Sequence, residues 1–588
     1  MDVLAQDLRY ALRQLVRNPL FATVAVATLA LGIGANTAMF SLVRGVLLRP
    51  LPYPDAARLV ASGLSLPDFE DVQASVRSFD DAAVWASNLF TLGESEGVKD
   101  GGSEQVLGAI VSERFFPLLG TAALGRTLRP DDAEREVVVL SHRLWTRRFA
   151  SDPGVLGRTL RLYGKAYEIV GVMAPEFQFP NGRFHLWVPL ESALSASPEL
   201  KTNRAVRIFH PLARLRPGVT LGQAQAEVDS LAARLAREHP ETNGGVTFPF
   251  RPVYEELVGD VRTALLVLMG VVALVLAIAC VNLANLLLAR AKTRERETAV
   301  RAALGAGRSR LLRQHLTESV VLALAGSALG LVVAGALLDA LPALAPFEIP
   351  RLVSVRIDRT VLAFTAALAV ATGLLFGLAP AWLSARGSLT GALRDGARGT
   401  EGPGGRRLRA SLTAAEIALS LVLAIGAGLL VQSLVRLTRV DAGFRAENLL
   451  TFHVVFVKDG PRPPEQRAAL AAEIGARLAG LPGVTAAGGA TGLPPVTPQR
   501  VAAFAVDGLE TTPGDSRAFF LAATPGYFQA LGAPMVEGRA FADTDAAGAP
   551  EVVILGRTLA RRLFGDGSAR GRRIRLVGTD YGGGWRTV

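Results

Sequence analysis

Residues 290–316 read RAKTRERETAVRAALGAGRSRLLRQHL, and the first 24 of them hold eight basic and two acidic side chains. Arginines beside Gly305 and Gly307 raise three chemistries: a loop that cradles phosphate, a basic surface for nucleic acid, or a docking element for another protein. A Walker-type loop needs G-x-x-x-x-G-K-[ST], because the lysine reaches the phosphates and the hydroxyl holds Mg²⁺. The only Gly-Lys pair, Gly164-Lys165, is followed by Ala166 and lacks the upstream glycine. ATP hydrolysis by that route is excluded. Gly32-Ile33-Gly34 is half a dinucleotide fingerprint, but it lies in an apolar run, where small residues serve close helix packing. The six histidines (142, 185, 210, 239, 315 and 453) show no ligand spacing, and with Cys280 as the single cysteine a Cys/His metal site has no support. No nucleophile–base set and no pair of carboxylates stands out. No catalytic residue, cofactor or metal ligand is assigned, and the chain is read as a non-enzyme.

The surroundings of residues 290–316 decide among the remaining chemistries. The chain has 588 residues, half of them hydrophobic, with a mean hydropathy of +0.32. Five stretches of at least 19 residues carry no Asp, Glu, Lys or Arg: Pro19–Val43, Thr263–Ala289, Ser319–Leu338, Thr360–Ala385 and Ile417–Val435. About 20 helical residues cross a hydrocarbon core, so each reads as a membrane span. Asn36, Asn282 and Asn285 fall inside these runs, where interhelical hydrogen bonding is the expected task.

Net charge is +11, which by itself invites a nucleic-acid reading. Its placement removes that reading. Residues 1–18 hold three basic and two acidic groups, 290–313 eight and two, and 386–411 six and two; the rest of the chain is neutral. Residues 339–359, in the alternate connection, hold three of each sign. The positive-inside rule puts the three basic segments in the cytoplasm and residues 44–262, 339–359 and 436–588 outside. Contact with anionic membrane lipids accounts for part of this basicity.

The two long external regions repeat one another. VSERFFPLLGTAALGRTL (111–128) matches ATPGYFQALGAPMVEGRAF (523–541), EVVVLSHRLWTRRF (136–149) matches EVVILGRTLARRLF (551–564), and GRTLRL (157–162) matches GRRIRL (571–576). Matches in register at offsets of 412 to 415 indicate duplication. Each unit mixes α and β. EVVVL, EVVIL, YEIVGV (167–172) and FHVVFV (452–457) predict strands. Leu221, Ala224, Val228, Leu231 and Leu235 share one helical face, as do Leu470, Ile474, Leu478 and Leu481. The first region has the length of two small α+β subdomains.

The stretch RERETAVRAALGAGRSRLLRQHLTES (294–319) resembles the signature of FtsX-like permeases, the membrane subunits of MacB-type ABC systems. DLRYALRQLVRNPLFATVAVATLALGIGANTAMFSLVRGVLLRPLPYPD (7–55) and GFRAENLLTFHV (443–454) are similar to one branch, the duplicated orphan permeases of acidobacterial type. The resemblance implies an α-helical transmembrane protein with extracytoplasmic α+β domains, in which a porter-like part carries an inserted, mostly β, subdomain. The expected order is an amphipathic cytoplasmic segment (1–18), a first span (19–43), an external MacB-like core domain (44–262) and a second span (263–289). A cytoplasmic coupling segment (290–318), a third span (319–338), a short external loop (339–359) and a fourth span (360–385) follow. A basic cytoplasmic linker (386–411), a fifth span (412–435) and a second, incomplete core domain (436–588) complete the chain. A complete duplicated member carries eight spans, so five spans imply a fragment or a truncated gene.

The resemblance further implies a bacterial inner-membrane location and a separate cytoplasmic ABC ATPase as partner. A periplasmic adaptor and an outer-membrane channel are further candidates, along with a dimer or pseudo-dimer of repeats. Motion of the ATPase would reach the outer domains for efflux or export. The docking element is predicted as a helix over 293–304, with Val300, Ala303 and Leu304 on one side, Glu297 paired with Arg301, Arg294 on the rim, and Gly305 and Gly307 turning the chain. An amphipathic helix resting on lipid headgroups is the competing reading of the bare residues. Control of cell-envelope enzymes or antibiotic sensing is the alternative function, and an inactive fragment of a longer permease a third.

Overall fold

The computed structural model describes residues 2–93, 104–120, 122–195, 197–293, 308–344, 351–352, 355–386, 403–441, 443–454, 464–492, 500–509, 517–546, 548–577 and 584–588. The N-terminal part runs α1 (Asp2–Arg17), α2 (Pro19–Val43), β1 (Leu59–Ala61), α3 (Leu66–Ser75), β2 (Phe79–Leu92), β3 (Glu104–Val111), α4 (Phe115–Leu119) and β4 (Ala122–Gly125). Then come β5 (Val137–Leu140), α5 (His142–Phe149), β6 (Thr159–Leu162), β7 (Lys165–Met173), β8 (Leu186–Pro189), α6 (Leu190–Leu194), β9 (His210–Leu215), α7 (Leu221–Glu238), α8 (Pro240–Asn243) and β10 (Arg251–Pro252). The long helices α9 (Val253–Thr293), α10 (Arg308–Leu344), α11 (Arg359–Arg386) and α12 (Pro403–Thr438) follow. The C-terminal part holds α13 (Pro464–Ala479), β11 (Arg500–Val506), β12 (Arg517–Phe520), α14 (Tyr527–Leu531), α15 (Arg557–Phe564), β13 (Arg573–Val577) and β14 (Trp585–Thr587).

Two compact units result: Met1–Pro50 with Val258–Val440, and Leu51–Leu257 with Asp441–Val588. The first is helical. Among the described residues, five helices are long and apolar enough to cross a membrane: Pro19–Leu48, Val261–Arg290, Leu312–Ala343, Arg359–Leu378 and Arg409–Thr438. Their polar backbone groups are satisfied internally, as hydrocarbon demands.

In the second unit, residues 51–257 form one ten-stranded mixed sheet in the order β10-β1-β9-β2-β3-β8-β5-β7-β4, with β6 beside β2 and β7. The region with the length of two small subdomains shares this one sheet. β2 is 14 residues long; its first half pairs with β9 and its second half with β3, so one strand carries the ladder across both parts. Alternation of side chains gives the sheet two faces, both covered. Val138 and Leu140 enter a core with Val228, Leu231 and Leu235 of α7 and Phe69 and Val72 of α3. Val137 and Val139 enter the opposite core with Phe115 and Phe116 of α4, Phe179, Phe184 and Trp187. The predicted face of α7 is thus the buried one, and Thr220 caps the helix with Gln223 in a reciprocal box. Asp68 is fully buried and accepts from Arg204 (2.7 Å), Asn243 (2.8 Å) and Arg207 (3.4 Å), which satisfies a charge that would otherwise be costly.

Residues 441–588 repeat part of this design. α14 and α15 stand 412 and 415 residues after α4 and α5 and have the same lengths of five and eight residues. Gly157 and Gly571 share φ of +79°, where a side chain would be strained. A four-stranded sheet, β12-β11-β13-β14, packs Phe504, Val506, Ile574 and Leu576. Leu470, Ile474 and Leu478 of α13 are half-buried, whereas Leu481 lies past the helix end and is exposed. Two predicted strands form no ladder among the described residues. Residues 452–454 are irregular and largely exposed, and no ladder partner meets them among the described residues; 455–457 lie outside those. EVVIL makes one parallel bridge, Val552 to Thr587, and its other residues are irregular. β-propensity without a paired neighbour does not make a strand.

Candidate coupling site at the N-terminal end of the helical unit

Pro19 separates α1 from α2: its ring removes an N–H donor and disfavours helix at Asn18, whose φ and ψ are −130° and 68°. α1 therefore forms its own helix at this end of the bundle. Its Asp7 is buried and accepts from Nε of Arg313 at 2.9 Å, and Ala11 is buried. Arg313 belongs to the first turns of α10, five residues after that helix begins. The Arg290 guanidinium, near the end of α9, lies 4.5 Å from the centroid of the Phe21 ring at the start of α2. With its amide oriented to satisfy both partners, Asn282 of α9 donates to the two carboxylate oxygens of Glu416 in α12 at 2.6 and 3.1 Å. Contacts at this end thus join α1 to α10 and α9 to α2, and α9 meets α12 deeper within the spans.

The eight residues assigned to docking, Arg294, Glu297, Val300, Arg301, Ala303, Leu304, Gly305 and Gly307, lie outside the described residues. Their flanks are described. α9 runs to Thr293 and α10 starts at Arg308, so the elements on both sides of the segment are long membrane helices.

Behind this end, α2, α10 and α11 form a close-packed core. A Cβ at Gly34 would stand 2.8 Å from the Gly330 carbonyl oxygen, one at Gly326 2.5 Å from Cβ of Leu29, and one at Gly373 2.9 Å from Cα of Val320. Small residues let backbones approach where hydrocarbon offers no hydrophobic drive. Asn36 donates to the Val272 carbonyl at 2.8 Å and the Thr37 and Thr365 hydroxyls meet at 3.0 Å. The interhelical role expected of the asparagines holds for Asn36 and Asn282; the Asn285 Oδ1 is buried without a hydrogen bond among the described residues.

At the far end of the same bundle Arg44 pairs with Asp358, which also accepts from the Thr360 and Val361 amides (3.0 and 3.1 Å) and so starts α11. Arg351 donates to the carbonyls of Val46 (3.0 Å), Arg49 (2.8 Å) and Pro50 (2.8 Å). The pairs Asp7–Arg313 and Arg44–Asp358 were missed in the sequence. The available signal was position: Arg44 is the first charge after one apolar run and Asp358 precedes another by two residues.

Histidines in the outer domain are structural in placement. Burial lowers the pKa of His210, which stacks on Trp85 with centroids 4.5 Å apart. Burial also lowers that of His185, helped by Arg147 and Arg143. Among the described residues no three His, Cys, Asp or Glu side chains are grouped to hold a metal ion.

The family model for the MacB-like periplasmic core domain matches residues 22–231 and again 411–582, and the model for the FtsX-like permease C-terminal matches 269–389. The chain belongs to the MacB/FtsX-type ABC permeases. The core-domain model finds two copies, in agreement with the repeated helices and glycines. The macrolide export ATP-binding/permease protein MacB of Burkholderia thailandensis is 26% identical over 231 residues, 38% of this chain and 33% of that one. The pyoverdine export ATP-binding/permease protein PvdT of Pseudomonas aeruginosa is 27% identical over 271 residues, 43% of this chain and 36% of that one. The permease therefore spans roughly a third of the length of these curated relatives. Among solved structures, the periplasmic region of MacB from Actinobacillus actinomycetemcomitans covers 38% of this chain and 96% of its own, at 17% identity and a TM-score of 0.26.

Proposed function

We propose that this permease passes motion from a separate cytoplasmic ABC ATPase to its external α+β domains, in the service of export. The observation that carries the reading is that the helices flanking 294–307 are tied to the N-terminal helices, α10 to α1 through Asp7–Arg313 and α9 to α2 through Arg290–Phe21. The Asp7–Arg313 pair joins basic segment 1–18 to basic segment 290–313 at one end of the bundle, which supports a cytoplasmic N-terminus in a bacterial inner membrane. Behind that end, the glycine contacts of α2, α10 and α11 favour movement as a body over local yielding.

The docking surface is the segment between α9 and α10. Val300, Ala303 and Leu304 would enter a groove of the ATPase, with Arg294, Glu297 and Arg301 at its rim and Gly305 and Gly307 turning the chain into α10. Matched stretches are permease domains, and the relatives' names join an ATP-binding to a permease function, which supports an ATPase as partner. Macrolides, pyoverdine and syringafactin in those names suggest export of large amphiphilic molecules, aided by an adaptor and an outer-membrane channel. Co-purification with candidate ATPases tests the docking role. Val300→Asp and Leu304→Glu should abolish association while membrane insertion persists; unchanged association would refute it.

A further inference from the structure

The first span leaves the bundle through an unusual turn. Pro50 favours an extended Arg49 (φ −76°, ψ 128°), so the helix stops at Leu48. Its last five residues, Arg44–Leu48, are wound as a π-helix, and the Arg49 amide donates to the Arg44 carbonyl, five residues back, at 2.8 Å. π winding is rare and clusters at functional sites. Here its support comes from the connection between α10 and α11. Arg351 holds a left-handed φ of +61°, a costly conformation for arginine. From there its guanidinium spans the carbonyls of Val46, in the last turn, and of Arg49 and Pro50, on the chain that leaves it. Asp358 pairs with Arg44, the first residue of the π turn, while it caps α11. Deeper in the bundle, the Phe40–Phe364 stack (centroids 3.9 Å apart) and the Thr37–Thr365 hydroxyls join the same two helices. Both ends of the turn are therefore gripped by one connection.

We propose that Arg351 and Asp358 form a latch on a two-state joint. While both grip, residues 44–48 stay π-wound. When the grip opens, they rewind to α, and the chain that leads into residues 51–257 turns with them. The three bonds of Arg351 share one planar guanidinium, so they make and break together. Each amide of the turn then exchanges the fifth preceding carbonyl for the fourth, as an α-helix requires. The joint rests on the proposed function for its purpose, since it is where motion of the helical unit would enter the chain of the outer domain. Its test needs no ATPase, so failure of the latch and failure of docking are separate results.

The test uses the full chain, with Cys280→Ala, in lipid nanodiscs. Val46 is inaccessible and Leu48 is 62% exposed. Val46→Cys and Leu48→Cys are made singly, and a water-soluble maleimide reads their labelling rates. Rewinding turns both side chains about the helix axis. Arg351→Ala should therefore raise labelling at position 46 about tenfold, the population shift that loss of a charge-assisted hydrogen bond gives, and lower it at position 48. Asp358→Asn retains a capping side chain for α11 but loses the charge pair with Arg44, and should move both rates in the same directions. Rates that rise at both positions would mean fraying, and unchanged rates a passive contact; either would overturn the latch. Val228→Cys, at a buried position of the outer domain, should stay unlabelled with both substitutions, which separates rewinding from unfolding.

Discussion

Arg539 holds Asp545 in a two-pronged ion pair, with N–O distances of 2.6 and 2.7 Å, and Arg126 holds Asp132 in the same clasp 413 residues earlier. The details coincide. Each arginine follows a glycine with positive φ (Gly125, +71°; Gly538, +78°), and each aspartate accepts a backbone amide three residues before it, from Arg129 at 3.0 Å and Ala542 at 2.8 Å. Each arginine also donates to the carbonyl of its own neighbour. The clasp fixes the loop that leads into the EVVVL or EVVIL segment of each repeat.

The two clasps differ in depth. The Asp132 side chain is 2% exposed and that of Asp545 is 11%. Removing the charge of Asp132 strands the buried lone pairs and Arg126, so Asp132→Asn should destabilise residues 51–257 by about 3 kcal/mol, the lower end for a broken buried pair. Asp545→Asn should cost clearly less. Urea unfolding of the full chain in detergent, followed by hydrogen exchange in each repeat, measures both.

The same geometry sets a pH dependence. Hydrogen bonds from Arg539 and the Ala542 amide bring the Asp545 carboxyl down to about 2. At Asp132, burial pushes upward, but the hydrogen bonds from Arg126 and Arg129 and the neighbouring charges outweigh it and leave the carboxyl below its usual range. A carboxylate with a depressed folded pKa contributes stability above its unfolded value, near 4, and loses it as pH falls through the folded value. Protection of residues 539–545 should therefore persist at pH 4 and disappear toward about pH 2. Loss of protection already at pH 5 would contradict the clasp.

Gly34 is where α2 meets α10. Leucine there would drive a side chain into the Gly330 carbonyl and Val333, and overpacking of this kind costs about 1–3 kcal/mol. Gly34→Leu should lower the thermal midpoint of the purified permease in detergent, whereas Gly335→Ala, with open space around it, should leave the midpoint unchanged or raise it slightly.

Asp7 is predicted to matter for coupling more than for stability. Asp7→Ala unties α1 from the first turns of α10, so an associated ATPase should bind normally yet respond less to the permease. The exchanged pair Asp7→Arg with Arg313→Asp should recover most of the response. Hydrolysis rates with and without permease, alongside co-purification yields, distinguish this from simple loss of binding.

The proposed orientation rests on the basic segments. Alkaline phosphatase fused near Gly182 or Gly514 should be active and a fusion near Gly404 inactive; the reverse would invert the whole assignment.

The helices were legible because membrane spans and the face of α7 are written in local periodicity. The duplication was legible because in-register identities survive at constant offset. The sheet was only half legible. VVVL announces a strand, but its partners β7 and β8 lie tens of residues away and are chosen by pairing, which no local pattern records. FHVVFV shows the converse, a strand-like run whose described part finds no partner. Asp7–Arg313 and Arg44–Asp358 join residues more than 300 apart; single charges near span ends are common, and only packing selects which two meet.

The central claim is that motion enters at 294–307 and reaches the outer domains. Hydrogen exchange over residues 51–257, in the assembled complex with its ATPase, tests it most directly. Exchange there should differ between nucleotide-free and ATP-bound states, and Val300→Asp should erase the difference while leaving the protein inserted. Identical exchange in both nucleotide states, or a difference that survives Val300→Asp, would contradict the account.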